Sequence, residues 1–302
     1  MINAIIEFSA RNKIIVRTAG RNLIVDTGAY PSVIDKQTAH QLGLSSDPRE
    51  VHVLDRNLKG GEALLPTVEI GPLRVRNLKV IVEDLTTLSM QTGLRVDGLI
   101  GMDVLAHMNF RIDYVAQTIM FGAPVQLAHS APIEWRASMA CVEMSVDGHP
   151  VHLLIDSGGA KTVLFAQHLP WAREPLGKSF GFANPGGHVT LRKVAAREVS
   201  LGQELVAPEE IYVSDATNMA PYPFDGLLTT LSPHFSQVAF DFEHNIFSWN
   251  SDYVAKVKTR QQKRSTMTAS VSPEHGAAGG GVSASSFTDS TASGGDGITP
   301  SQ

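Results

Sequence analysis

The chain has 302 residues, 43% apolar and 18% charged, with a formal net charge of −5 and an isoelectric point near 6.1. That is enough apolar sequence for one or two sizeable cores, and the mild acidity leaves no basic footprint for nucleic acid or anionic lipid. The single cysteine, Cys141, excludes an intrachain disulfide, and its neighbours Ala140 and Val142 mark it as a buried small apolar side chain rather than a reactive thiol.

In chain order, Ile2 to Phe8, Lys13 to Thr18 and Leu23 to Val25 are short β-rich runs, broken at Asn12 and at Gly20-Arg21. After Asp26-Thr27-Gly28, the stretch Ser32 to Leu42 is expected to hold a short helix ended by Gly43. Glu50 to Leu54 and Glu62 to Leu65 flank Lys59-Gly60-Gly61, which reads as a hairpin tip. Pro66 to Ile70 and Arg74 to Glu83 are strands joined at Gly71-Pro72, and Thr86 to Gly93 is expected to be a flexible connection. Val96 to Gly101 follows, then a short helix over Met102 to Met108 and a hairpin over Phe110 to Phe121.

The order then repeats. Met139 to Val146 and Val151 to Ile155 are strands around the turn Asp147-Gly148. A second hairpin tip is expected at Asn184-Pro185-Gly186-Gly187, later strands at Ala196 to Leu201 and Glu210 to Val213, and a closing hairpin over Val238 to Trp249. From about Asp252 a basic run gives way to Ser, Gly, Ala and Thr, too poor in large apolar residues to offset the entropy of ordering. Many short strands and few helices predict an all-β architecture. The expected organisation is a lobe over 1–125, a second lobe over 126–252 and a disordered tail over 253–302. No leader peptide and no apolar run of about 18 residues is seen, so a soluble, cytoplasmic protein away from membranes is expected.

The repeat is measurable. Leu23-Ile24-Val25-Asp26-Thr27-Gly28 and Leu153-Leu154-Ile155-Asp156-Ser157-Gly158 place their aspartates 130 positions apart (156 − 26). Ser32-Val33 matches Thr162-Val163 at the same offset. Asp97-Gly98-Leu99-Ile100 matches Asp225-Gly226-Leu227-Leu228 at 128 positions, and Ile112-Asp113-Tyr114 matches Phe240-Asp241-Phe242 at 128. Two copies of a small domain explain these offsets, and a period this long excludes a solenoid.

Each repeated aspartate ends an apolar strand, where a lone carboxylate is costly to bury. Two copies related by a pseudo-twofold axis bring Asp26 and Asp156 together, and carboxyls that close share a proton. Such a dyad holds an acid and a base at once, enough to add water to an amide carbonyl without a cofactor. Thr27 and Ser157 set a hydroxyl beside each acid, suited to bonding across the junction, and Gly28 and Gly158 let the backbone approach the shared oxygens.

These motifs resemble the two-lobed, single-chain form of the aspartic peptidases of the retropepsin and pepsin type. Asp26-Thr27-Gly28-Ala29 is close to the retropepsin active-site motif, and Val96-Asp97-Gly98-Leu99-Ile100-Gly101 resembles the element that packs behind it. The resemblance implies a peptide or protein substrate, a monomer with an internal pseudo-dimer, and flaps at Gly60-Gly61 and Gly186-Gly187. Two positions depart from the family pattern: Gly159 replaces a small side chain, and Thr229 replaces a glycine, so that its Cβ is expected to push on the Asp156 loop. These departures carry the alternative, an inactive fold that binds extended peptides by strand addition. A metal site is not expected. His149 and His152 are separated by Pro150 on a strand, and the remaining histidines with one cysteine make no zinc template. Asp97, Asp113, Asp225 and Asp241 are expected to serve turns and strand ends.

Overall fold

The structure is a computed structural model that describes residues 4–10, 13–53, 56–169, 171, 179–184, 187–194, 196, 198–202, 204–206, 211–215, 222–231 and 235–251. The described residues all lie in one compact unit, within 1–259. The tail expected over 253–302 lies outside them. None of the described helices is long and apolar enough to cross a membrane.

The protein is mostly β. Its first part runs β1 (Ala4–Glu7), β2 (Ser9–Ala10), β3 (Ile14–Thr18), β4 (Arg21–Val25), β5 (Val33–Asp35), α1 (Lys36–Gln41), β6 (Ser46–Val53), β7 (Arg56–Ile70), β8 (Leu73–Glu83), α2 (Thr86–Thr92), β9 (Gly98–Ile100), α3 (Met102–Leu105), β10 (Phe110–Asp113) and β11 (Thr118–Phe121). The second part runs β12 (His129–Pro132), β13 (Glu134–Arg136), β14 (Met139–Val146), β15 (His149–Asp156), β16 (Thr162–Phe165), β17 (Ser179–Asn184), β18 (Gly187–Val194), β19 (Val199–Leu201), β20 (Glu204–Val206), β21 (Ile211–Ser214), β22 (Gly226–Thr229), β23 (Gln237–Asp241) and β24 (Ile246–Asn250).

Among the described residues three sheets form. One has the order β2-β3-β4-β9-β5-β8-β7-β6, and another the order β17-β18-β21-β16-β22-β15-β14-β19-β20 with β13 on β14. In the first, β9 lies parallel to β4 and antiparallel to β5, and β5 is parallel to β8. In the second, β22 lies parallel to β15 and antiparallel to β16, and β16 is parallel to β21. The strands that carry the two aspartates therefore sit in the same pattern of neighbours. Flanked on both sides and covered on both faces, they need continuous apolar sequence; Ile24 and Val25, like Leu153 and Ile155, are fully buried.

The central strands of these patterns pack too closely for a side chain. A Cβ at Gly98 would meet the Val33 carbonyl at 2.7 Å, and one at Gly226 would meet the Val163 carbonyl at 2.1 Å. The aspartates before these glycines make matched bonds: Asn22 N donates to Asp97 Oδ2 and His152 N to Asp225 Oδ2, each at 2.9 Å. Asp113 Oδ1 accepts from Val115 N and Ala116 N, and Asp241 Oδ1 from His244 N. All four are turn and strand-end acids, as their sequence positions predict.

The third sheet, β1-β11-β10-β23-β24-β12, takes strands from both ends of the chain. Its centre is the antiparallel pair β10–β23, where Phe110 faces Phe240 with ring centroids 4.7 Å apart. Phe121, Phe247 and Trp249 are buried with them. This apolar sheet joins strands of the first part to strands of the second.

The short helix expected within Ser32 to Leu42 is present as α1, which stops before Gly43; it follows the strand Val33–Asp35, and the Asp35 carboxylate caps it by accepting from Gln37 N and Thr38 N. Two other local expectations are corrected. Thr86–Thr92 is a helix rather than a flexible connection. Leu85, Leu88 and Thr92 fall on one face, and the two leucines pack with Ile15, Ile24 and Leu99. Gly60 and Gly61 are not a hairpin tip. They lie inside β7, paired with Arg49 and Pro48 of β6, and Gly61 also pairs with Val82 of β8. Pairing with β6, and for Gly61 with β8 as well, holds them extended within a strand.

Candidate active site

Asp26 and Asp156 stand at the ends of β4 and β15 and face each other across the junction, each carboxyl lying against the glycine that follows the other by two positions. The tight turn after each strand folds the backbone back onto its acid. Gly28 N donates to Asp26 Oδ1 at 2.9 Å, and Gly158 N and Gly159 N donate to Asp156 Oδ1 at 2.8 and 2.7 Å. Each glycine also lies against the opposite acid. A Cβ at Gly28 would sit 2.6 Å from Asp156 Oδ1, and one at Gly158 would sit 2.2 Å from Asp26 Cγ. Real Cβ contacts do not come that close, so glycine is required at both positions.

Beneath the carboxyls, Thr27 and Ser157 are fully buried and exchange four hydrogen bonds across the junction. Thr27 Oγ1 donates to Ile155 O at 2.7 Å and accepts from Ser157 N at 2.9 Å. Ser157 Oγ donates to Val25 O at 2.9 Å and accepts from Thr27 N at 3.0 Å. Each hydroxyl thus satisfies a backbone donor on the opposite turn and an acceptor on the opposite strand. Dry, reciprocal and saturated, this arrangement resists relative motion of the loops. Sequence reasoning expected these hydroxyls to bond across the junction, and the geometry agrees.

The acids are electrostatically unusual. Burial, then the neighbouring Asp156 charge, pushes Asp26 up to about 7 from an ordinary 3.8, against the opposing pull of Lys13 and the Gly28 amide. Asp156 is also raised, chiefly by burial, and is drawn back by Lys13, by the Gly159 and Gly158 amides and by the hydrogen bond from Asp26. Between those two ionisations the pair carries one proton.

Two side chains that sequence reasoning did not single out attend the pair. Lys13, at the β2–β3 turn, donates its Nζ to the Gly158 carbonyl and sets a positive charge beside both acids. No local signal marks it; the contact joins residues 145 positions apart and arises only from the tertiary fold. From below, the Tyr114 hydroxyl donates to Thr230 Oγ1 at 2.5 Å, and Thr230 N donates to Asp156 O at 3.0 Å. Burial holds the Tyr114 phenol well above its usual range.

Thr229 meets the Asp156 loop through its hydroxyl. Thr229 Oγ1 donates to Gly159 O at 2.6 Å and accepts from Leu231 N at 3.1 Å. In the first half, the corresponding carbonyl of Ala29 accepts from Met102 N at 2.9 Å. A hydroxyl has replaced a backbone donor, so the extra atoms occupy a bonded position.

Of the flap candidates, Gly60 and Gly61 lie within β7 and are not brought to the acids. Gly187 pairs with Asn184 at the end of the β17–β18 hairpin, and Gly186 lies outside the described residues. Cys141 is fully buried in a cluster with Leu154, Val163 and Phe165, and burial pushes its thiol up to about 12. Glu134, Glu143 and His152 bring ligand atoms within 4.8 Å of one another. Arg136 already donates to Glu134 Oε2 at 2.8 Å, which places a cation's charge there without a metal.

Two aspartates face each other on matched strand ends, Asp156 buried and Asp26 partly so, and together they can hold an acid and a base. In line with this, residues 17–104 match the family model described as aspartyl protease, a segment that contains Asp26 and its backing strand and supports an aspartic peptidase. No curated protein was found to match the chain.

Proposed function

We propose that the protein is an aspartic endopeptidase in which Asp26 and Asp156 activate one water molecule. The observation that carries this reading is the pair of facing carboxyls, Asp26 and Asp156, over the reciprocal hydrogen bonds of Thr27 and Ser157. One carboxylate accepts a proton from water as the water oxygen bonds to the substrate carbonyl carbon. The other acid gives its proton to the carbonyl oxygen, which leaves a gem-diol. The C–N bond then breaks as the nitrogen takes the proton held by the first acid, and a gem-diol hydroxyl returns one to the second. Protons balance, and the enzyme regains its starting state.

Internal duplication into lobes over 1–125 and 126–252, retropepsin-like in kind, accounts for the repeated strand pairing and for the aspartate offset. Both acids then come from one chain, so a monomer builds the site, and its partner is a peptide or protein substrate. The inactive peptide-binding alternative rested on Gly159 and Thr229. Thr229 is bonded in place, and Gly159 contributes an amide to Asp156, so neither position favours it.

The test combines turnover and binding. Hydrolysis of a mixed peptide library should be blocked by a statine-type peptide and lost in Asp26→Asn and Asp156→Asn. A wild type that binds peptides without cleaving them between acidic and neutral pH would overturn the reading.

A further inference from the structure

The two halves treat their acids differently, and the difference lies at Gly159 and Thr229. Asp26 Oδ1 accepts one backbone N–H, from Gly28. Asp156 Oδ1 accepts two, from Gly158 and Gly159. The residue equivalent to Gly159 in the first half, Ala29, sends its N–H to the Asp26 backbone carbonyl instead, at 3.2 Å. Glycine is what allows the second bond, because a Cβ at Gly159 would lie 2.4 Å from Asp156 Oδ2.

The backing strands compensate. A Cβ at Gly101 would meet Ala29 O at 2.4 Å and the Ala29 methyl at 3.3 Å, so the first half carries its side chain at 29 and none at 101. The second half reverses this, with no side chain at 159 and threonine at 229. The Thr229 hydroxyl holds the Gly159 carbonyl from behind while the Gly159 N–H points at Asp156. Amide donors stabilise a carboxylate over a carboxylic acid. The dyad is therefore unequal by construction.

From this geometry we infer that Gly159 and Thr229 assign the roles within the dyad: Asp156 is the carboxylate that takes the proton from water, and Asp26 is the acid that protonates the substrate carbonyl. The inference rests on the proposed function and adds a division of labour to it. Lys13 acts on both acids, so its charge does not supply the amide asymmetry. Thr229 pairs with Asp156 through the β15–β22 ladder, but its hydroxyl bonds Gly159 and neither carboxyl; it is a positioning residue that acts through Gly159.

The test is a carboxyl-carbon NMR titration of protein labelled at aspartate Cγ, with Asp26→Asn and Asp156→Asn used to assign the two signals. In the wild type, Asp156 should ionise first and Asp26 should keep its proton to about pH 7. Thr229→Val removes the hydroxyl at constant volume, and the gap between the two titrations should narrow by roughly one pH unit, the scale of one weakened charge-assisted bond. Thr229→Ser keeps the hydroxyl and should restore the wild-type gap. Coupled titrations in which Asp26 ionises first, or in which both acids are equivalent in the wild type, overturn the assignment and leave the peptidase reading standing. Independent titrations of both acids near their ordinary values overturn both. The wild-type spectrum decides the assignment even if Thr229→Val does not fold.

Discussion

Replacing Asp26 with Asn should make the protein more stable at neutral pH while removing its chemistry. In the folded state Asp26 titrates near 7, against an ordinary 3.8. A group whose folded value is raised binds its proton more tightly folded than unfolded. Its contribution is then complete below about pH 4 and is lost as pH rises through 7. At about 1.36 kcal/mol per unit, a rise from 3.8 to about 7 corresponds to roughly 4 kcal/mol, and to roughly 2 once water reaches the partly exposed edge of the carboxyl. Asn cannot ionise and relieves Asp156 of a like charge. Urea unfolding of wild type and variant at pH 4 and pH 8 measures the difference. The stability of Asp26→Asn relative to wild type should grow by about 2–4 kcal/mol from the lower pH to the higher. A difference independent of pH would mean that folding does not raise Asp26.

Other perturbations follow from the same site. Thr27→Val leaves the Ser157 amide and the Ile155 carbonyl unpaired in a dry junction, and chemical denaturation should register a loss of about 2–5 kcal/mol. Gly158→Ala drives a Cβ into the Asp26 carboxyl, so peptide turnover should disappear while far-ultraviolet circular dichroism still reports the β-fold. Lys13→Met removes the charge that holds both acids down, and the alkaline limb of the rate profile should move above pH 7 while Lys13→Arg leaves it in place. Cys141, buried with its thiol raised to about 12, should resist alkylation in the folded protein and react on unfolding, as mass spectrometry would record.

The strand ends were legible because burial on both faces leaves an unambiguous signature. Leu23-Ile24-Val25 and Leu153-Leu154-Ile155 are continuous apolar runs, and a polar Asp-Thr/Ser-Gly after each could only be a specialised turn. The bonds of Thr27 and Ser157 followed from residue type and assumed symmetry. Long strands were less legible. β7 runs for 15 residues, so Gly60-Gly61, a turn signal locally, is overridden by pairing with β6 and β8. In the same way the Thr- and Ser-rich α2 has weak intrinsic helicity and owes its form to Leu85 and Leu88 docking on the first core. Lys13 and Thr229 could not be placed from sequence, because their roles depend on atoms 145 and 70 positions away. Thr229 is the instructive case: by type it looked like an intrusion, and in place its hydroxyl does what a backbone amide does in the other half.

The central claim is tested most directly by the pH profile of peptide-library cleavage, measured by mass spectrometry for wild type, Asp26→Asn and Asp156→Asn. The account predicts a bell-shaped profile whose alkaline limb lies near pH 7, and a fall of about 10²–10⁴-fold or more in either variant. Cleavage that survives in either variant, or a wild-type rate that climbs without limit above pH 8, would contradict it.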